Sequence, residues 1–221
     1  KARELDLLIM GCGEKGQIGF NENGASEQSR TRTVLLPYQS RKRQAKNFAG
    51  DIAKTPNTAI AMGISTMMSA KKIILIAWGE DKAKVVSQIV EGSIDPSCPA
   101  TLLQKHSNIS FYVDENSASL LTRSVAPWLV GPCEWTPKFI RKAVVWLCEQ
   151  VHKPILKLTQ GDYLSNGLGE LLEQHGSFDK INIKVFNDLQ HTISGWPGGK
   201  PDADDSTRPV PSSPFPKRVV I

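Results

Sequence analysis

A short apolar run, Leu5-Asp6-Leu7-Leu8-Ile9-Met10, leads straight into Gly11-Cys12-Gly13. Near-continuous apolar character over so few residues is the pattern of a strand buried on both faces of a parallel sheet. Glycines at its end let the backbone turn sharply and approach a ligand. Open α/β sheets bind their ligands at that carboxyl edge. The junction therefore predicts a Rossmann-like α/β fold, with a candidate site in the loop that follows the strand.

The rest of the chain first obeys this prediction and then departs from it. Further strands are expected over residues 33–36, 58–62, 72–78 and 109–113. Helices are expected over 39–49, 64–70, 81–90 (Asp81 as N-cap or first-turn acid) and 100–105. Alternating strand and helix predicts a mostly parallel sheet. Beyond about residue 125 the pattern becomes helical. Phe139, Ile140, Ala143, Val144, Leu147, Cys148 and Val151 recur at helical spacing, and further helices are expected over 164–175 and 187–193. Gly195-Trp196-Pro197-Gly198-Gly199-Lys200-Pro201 opens an acidic, proline-rich linker, and Arg218-Val219-Val220-Ile221 reads as the start of another strand. The expected organisation is an α/β domain over 1–125, a helical extension over 126–195, and a linker with the opening of a further domain over 196–221.

Composition narrows the function classes. Of the 221 residues, 40% are hydrophobic and 22% charged, an ordinary globular balance. No apolar run approaches the roughly 20 residues that span a bilayer, and the first is too short for a signal peptide. A soluble, cytoplasmic protein without a membrane partner is expected. Cys12, Cys98, Cys133 and Cys148 show no CxxC spacing, and His106, His152, His175 and His191 form no metal-binding pair. No metal site is expected, and Asp202, Asp204 and Asp205 read as a solvated loop. Trp128, Trp135 and Trp146 read as core or interface, and His106 as a hydrogen-bonded structural histidine. Seven basic residues (Arg30, Arg32, Arg41, Lys42, Arg43, Lys46, Lys54) face one acid, Asp51, between positions 30 and 54. No aromatic platform accompanies them, so a solvated helix face or a rim for a phosphorylated small molecule fits better than nucleic acid.

The glycine loop carries the most specific signal. Gly11-Cys12-Gly13-Glu14-Lys15-Gly16-Gln17-Ile18-Gly19-Phe20-Asn21-Glu22 resembles the signature of glucosamine-6-phosphate deaminases, Gly-x-Gly-x-Asp-Gly-His-Ile-Ala-Phe-Asn-Glu. Ser29-Arg30-Thr31-Arg32, Ala61-Met62-Gly63-Ile64-Ser65-Thr66, Gly79-Glu80-Asp81-Lys82-Ala83, Val90-Glu91-Gly92 and Leu103-Gln104-Lys105-His106 follow in the family's order, to about residue 120. The resemblance implies a hexosamine 6-phosphate as ligand, converted to a ketose phosphate and ammonia without a cofactor. It implies that Gly11, Gly13, Gly16, Asn21 and Lys82 bind substrate, with Lys82 on the phosphate. It also makes Glu22 an acid/base group, sets Arg32 where some members bind an allosteric aminosugar phosphate, and implies a homo-oligomer.

Three departures qualify these implications. The family's aspartate and histidine of the ring-opening cluster are Lys15 and Gln17 here, so of the catalytic positions Lys15, Gln17 and Glu22 only Glu22 keeps its residue type. Glutamine cannot shuttle protons near neutral pH, and losing one acid/base group costs about 10²–10⁴ in rate. A basic position next to Arg32 is Val34, which leaves a salt bridge and an effector site equally open. The family's first phosphate loop and proton-transferring aspartate lie upstream of the signature strand, so the amino-terminal half of the fold is expected as a missing partner. The carboxyl-terminal third, from Pro127-Trp128 through Gln190-His191 to Val219-Val220-Ile221, resembles the connection to a deacetylase-like domain in a two-part bacterial protein. A catalytically degenerate sugar-phosphate-binding or regulatory module is the alternative to an enzyme.

Overall fold

The computed structural model describes residues 5–194 and 218–220, which divide into two compact units at Thr122. The first holds β1 (Leu8–Gly11), β2 (Arg32–Leu35), α1 (Tyr38–Gln44), β3 (Thr58–Ala61), α2 (Ile64–Met68), β4 (Ile73–Ala77), α3 (Ala83–Val90) and β5 (Ile109–Val113). The second holds α4 (Thr122–Val125), α5 (Pro137–Val151), α6 (Gln160–Ser165), α7 (Gly169–His175) and α8 (Phe178–Ser194). A last strand, β6 (Arg218–Val220), returns to the first unit.

The sheet order is β1-β4-β5-β6, all parallel, with Leu8 opposite Ile73 and Ile73 opposite Ile109. One face carries Ile73, Leu75, Ala77, Ile109, Phe111 and Val113 into a core with Val85, Val86 and Ile89 of α3. The other face carries Ile9 and Tyr112, which are 58% and 38% exposed. Parallel sheets are usually covered on both faces; on this second face Ser110 is buried and Ile74 and Ile76 are half-buried.

Three local readings change. The strands expected at 33–36 and 58–62 lie outside the parallel sheet and pair antiparallel as a separate ribbon, Thr33 opposite Ile60. Asp81 is not an N-cap, a position Gly79 takes, but a first-turn acid of a 3₁₀ turn, Glu80–Lys82, that runs on into α3. Residues 218–220, read as opening a further domain, pair with β5 as the fourth strand of this sheet. Trp196 to Pro216 and the acids Asp202, Asp204 and Asp205 fall outside the described residues.

In the helical unit, Thr136 caps α5 by accepting the Phe139 N–H, and His152 ends it in the left-handed region. The helix expected over 164–175 breaks at Asn166-Gly167, where Gly167 takes φ +73°. The one expected over 187–193 is the tail of α8. Phe178, Ile181 and Val185 begin its apolar stripe, with polar residues between them that hid it in the sequence. Trp128, Trp135 and Trp146 all belong to this core. The Trp128 and Trp135 indole N–H groups have no hydrogen-bond partner among the described residues. Trp128 meets Trp146 and Phe139 edge to face at 5.2 and 5.6 Å, a favoured arrangement of aromatic rings. No helix among the described residues is long and apolar enough to cross a membrane.

Candidate functional site

Residues 12–22 leave the carboxyl end of β1 as a tightly turned loop. The Gly13 N–H donates to the Gln17 carbonyl at 2.8 Å, and the Gly16 N–H donates to the Gly13 carbonyl at 2.9 Å. Gly16 is buried at φ +71°, and a Cβ there would collide with Cys98 Sγ. Its carbonyl accepts from the Ala100 N–H at 2.9 Å, which pins the loop to the turn Pro99–Lys105. A Cβ at Gly13 would collide with Gln17 Oε1, so glycine there makes room for the Gln17 amide. That oxygen accepts the Lys15 backbone N–H at 3.1 Å. Gln17 therefore folds back into its own loop. The Lys15 side chain is exposed and makes no hydrogen bond or ion pair among the described residues.

The end of the loop is anchored more firmly. Asn21 is fully buried; its Nδ2 donates to the carbonyls of Ile18 (2.9 Å) and Met62 (2.8 Å), and its Oδ1 accepts from Arg32 Nη1 (3.1 Å). Both amide protons and the carbonyl are thus used within the protein. Arg32 is thereby tied to the signature loop. Glu22 reaches α1, where its Oε1 accepts from Ser40 Oγ at 2.5 Å. Ser40 Oγ in turn accepts from Arg43 Nη2 at 3.0 Å.

Lys82 comes from the neighbouring strand. The loop after β4 turns at Gly79 (φ +91°), whose N–H donates to both Asp114 carboxylate oxygens at 3.1 and 3.2 Å. Ser117 and then Gly79 hold the Asp114 carboxyl below its ordinary value by hydrogen bonding to it. This fixes the turn that carries Lys82 into the start of α3. Lys82 Nζ lies 2.9 Å from Asp81 Oδ2, with its side chain 20% exposed. Burial pushes the Cys12 thiol up to about 11, and the Lys82 ammonium opposes that rise. Since β1 and β4 are adjacent and parallel, both loops leave one sheet edge. No hydrogen bond or ion pair joins Lys82 to Lys15, Gln17 or Glu22 among the described residues.

The other ordered segments have structural tasks. Ser29 Oγ and its carbonyl accept the N–H groups of Ile64 and Ser65, and Gly63 permits that approach because a Cβ would strike the Ser29 carbonyl. Gln104 Nε2 donates to the Ile89 and Gly92 carbonyls at the end of α3. His106 Nδ1 accepts from Asn108 N, so Nε2 carries the proton and donates to the Ala70 carbonyl at 2.7 Å. Of the seven basic residues between 30 and 54, Arg32, Arg41, Arg43 and Lys54 are tied to partners inside the unit. Ser40 and Asp114 were not singled out in the sequence, and Arg43 was read only as one of a basic stretch. Asp114 with Ser117 has the spacing of a side-chain-to-backbone turn, but nothing in the sequence links Ser40 to Glu22.

No family model matches the chain. Over 217 residues, 98% of the chain, it is 52% identical to a glucosamine-6-phosphate deaminase-like protein of Bacteroides thetaiotaomicron, covering 33% of that protein. It is 43% identical over 123 residues to the glucosamine-6-phosphate deaminase of Rhodopirellula baltica, covering 56% of this chain and 49% of that one. A solved monomeric glucosamine-6-phosphate deaminase is 41% identical with a TM-score of 0.49, over 52% of this chain and 47% of the other. The chain thus spans between a third and about half the length of these relatives.

Proposed function

We propose, for a chain that is a homologue of the glucosamine-6-phosphate deaminases and their deaminase-like relatives, that it supplies one side of a hexosamine 6-phosphate site. The supporting observation is the common sheet edge from which the signature loop and the Lys82 turn both emerge. A lysine at the start of a helix is suited to the phosphate of an anionic sugar, whereas the Gly13 and Gly16 N–H groups are spent on holding the loop's own shape. In this reading Lys82 holds the phosphate, Gly11 and Gly13 bring the backbone close to the sugar, the buried Gly16 shapes the loop, and Glu22 meets the sugar's polar groups. Asn21 acts by holding the loop, and Arg32 is a structural partner of Asn21 before it is an effector ligand.

One observation favours binding over turnover. The Gln17 amide, at the position of the family's histidine, is engaged with the Lys15 backbone. A loop that uses this side chain to hold its own shape has no proton carrier there. Lys15 adds positive charge where the family has an acid, which attracts a phosphate and does not assist ring opening.

The same reading makes the chain part of a cytoplasmic, homo-oligomeric protein of amino-sugar metabolism. It would carry the complementary half of the sugar-phosphate fold and a deacetylase-like domain. The relatives' lengths, two to three times the matched segment, support a larger whole. The test is to set binding of glucosamine 6-phosphate to the full-length protein beside release of ammonia and fructose 6-phosphate. Binding with turnover at least about 10²-fold below an active deaminase is expected. Turnover at a deaminase's rate contradicts the binding-only reading, and absence of binding contradicts the site.

A further inference from the structure

Glu22 keeps its residue type in the altered loop, and its carboxylate is held from outside that loop. Ser40 is 4% exposed, on the first turn of α1 just after Pro37. A serine hydroxyl has one proton to donate and lone pairs to accept with. Arg43, one turn further along the helix, donates to Oγ at 3.0 Å and so occupies one lone pair. The hydroxyl proton is directed to Glu22 Oε1, at 2.5 Å. A donor polarised by a guanidinium gives a stronger hydrogen bond, since linked bonds reinforce one another. Among the described residues Glu22 Oε2 takes no hydrogen bond.

We propose that Ser40, oriented by Arg43, is the positioning residue for Glu22, holding one carboxylate oxygen so that the other is presented to the amino sugar. The inference rests on the reading of Glu22 as a ligand contact. It accounts for two features the signature loop does not explain. Ser40 is the one buried residue of the largely basic α1, and the exposed Arg43 donates to that serine from the next turn.

The test measures the dissociation constants of glucosamine 6-phosphate and of inorganic phosphate for the full-length protein, in five variants: Ser40→Ala, Ser40→Thr, Arg43→Gln, Glu22→Gln and Ser40→Ala with Glu22→Gln. Ser40→Ala weakens glucosamine 6-phosphate about tenfold to a hundredfold, the loss expected for one hydrogen bond to a charged group. Inorganic phosphate, which has no sugar for Glu22 to meet, changes less than about twofold. Arg43→Gln gives a smaller loss of the same kind, and Ser40→Thr retains affinity because it keeps the hydroxyl. In the Glu22→Gln background Ser40→Ala adds nothing, since Ser40 acts only through Glu22. Equal losses for both ligands, or full additivity in the double variant, overturns the inference and leaves the site reading intact. If the unmutated protein binds neither ligand, the site reading fails and takes this inference with it.

Discussion

The α/β unit and the helical unit use buried polar groups in different ways. In the first, Asn21, Ser40, Thr101 and Ser117 are buried and each fastens a loop or turn to its neighbours. In the second, among the described residues, Asn182 is the one buried polar side chain outside the indoles and Tyr163. It accepts from the Tyr163 hydroxyl at 2.8 Å and donates to the Leu158 carbonyl at 3.1 Å, linking α8 to the chain around α6. The first arrangement fixes the shape of a loop, as a binding site requires. The second fixes how helices pack. The relatives divide the same way: the matches to deaminases run over 117–125 residues, the size of the α/β unit, and the Bacteroides match over 217.

This contrast breaks if damage to the helical core impairs the site. Leu147 is fully buried in α5. Leu147→Ala is expected to destabilise the helical unit by about 2–5 kcal/mol, read by thermal unfolding, with sugar-phosphate affinity at 20 °C within about twofold of the unmutated protein. The converse uses Asn21. Asn21→Ala removes the side-chain donor to the Met62 carbonyl and leaves Arg32 Nη1 with only the Arg30 carbonyl at 3.4 Å, at a cost of about 1–3 kcal/mol for a buried group left unsatisfied. It should also abolish measurable sugar-phosphate binding, because the loop loses its anchor. If Asn21→Ala is stable and binds normally, the loop owes its shape to something else.

A smaller effect in the helical unit is read by pH. Lys153, then the Thr159 N–H and hydroxyl, hold the Asp162 carboxyl down at about 2 from an ordinary 3.8. A depressed folded-state value means stability that is present above about pH 4 and lost as pH falls through about 2. Asp162→Asn should therefore be less stable than the unmutated protein at neutral pH. The gap in thermal midpoint should close between about pH 4 and pH 2. A gap independent of pH would mean that Asp162 acts only as a hydrogen-bonding cap of α6.

Much of this architecture was legible in the sequence where one periodicity governed. The apolar runs of β1, β4 and β5 and the stripe of α5 announced themselves because each buries one contiguous set of side chains. The β2–β3 ribbon was read as strands but not as a separate sheet, because pairing partners are set by tertiary contact and not by local pattern. The front half of α8 was missed because Asp179, Lys180, Asn182 and Lys184 interrupt Phe178, Ile181 and Val185 in the linear order, although the apolar residues share a helix face. In the candidate site, the glycine turn after β1 was legible in the sequence, and Lys82 was singled out through the resemblance to the deaminase family. The engagement of Gln17 within its own loop and the Ser40–Arg43 support of Glu22 were not, since both depend on where side chains turn.

The central claim is that the edge shared by β1 and β4 binds a sugar phosphate through Lys82. Calorimetric titration of the full-length protein and its Lys82→Ala variant, with glucosamine 6-phosphate and with glucosamine, tests it most directly. The account predicts a loss of about 1.5–3 kcal/mol for the phosphorylated sugar, the range for hydrogen bonds to charged groups, and almost none for glucosamine. Equal losses for both sugars, or no loss for either, would contradict it.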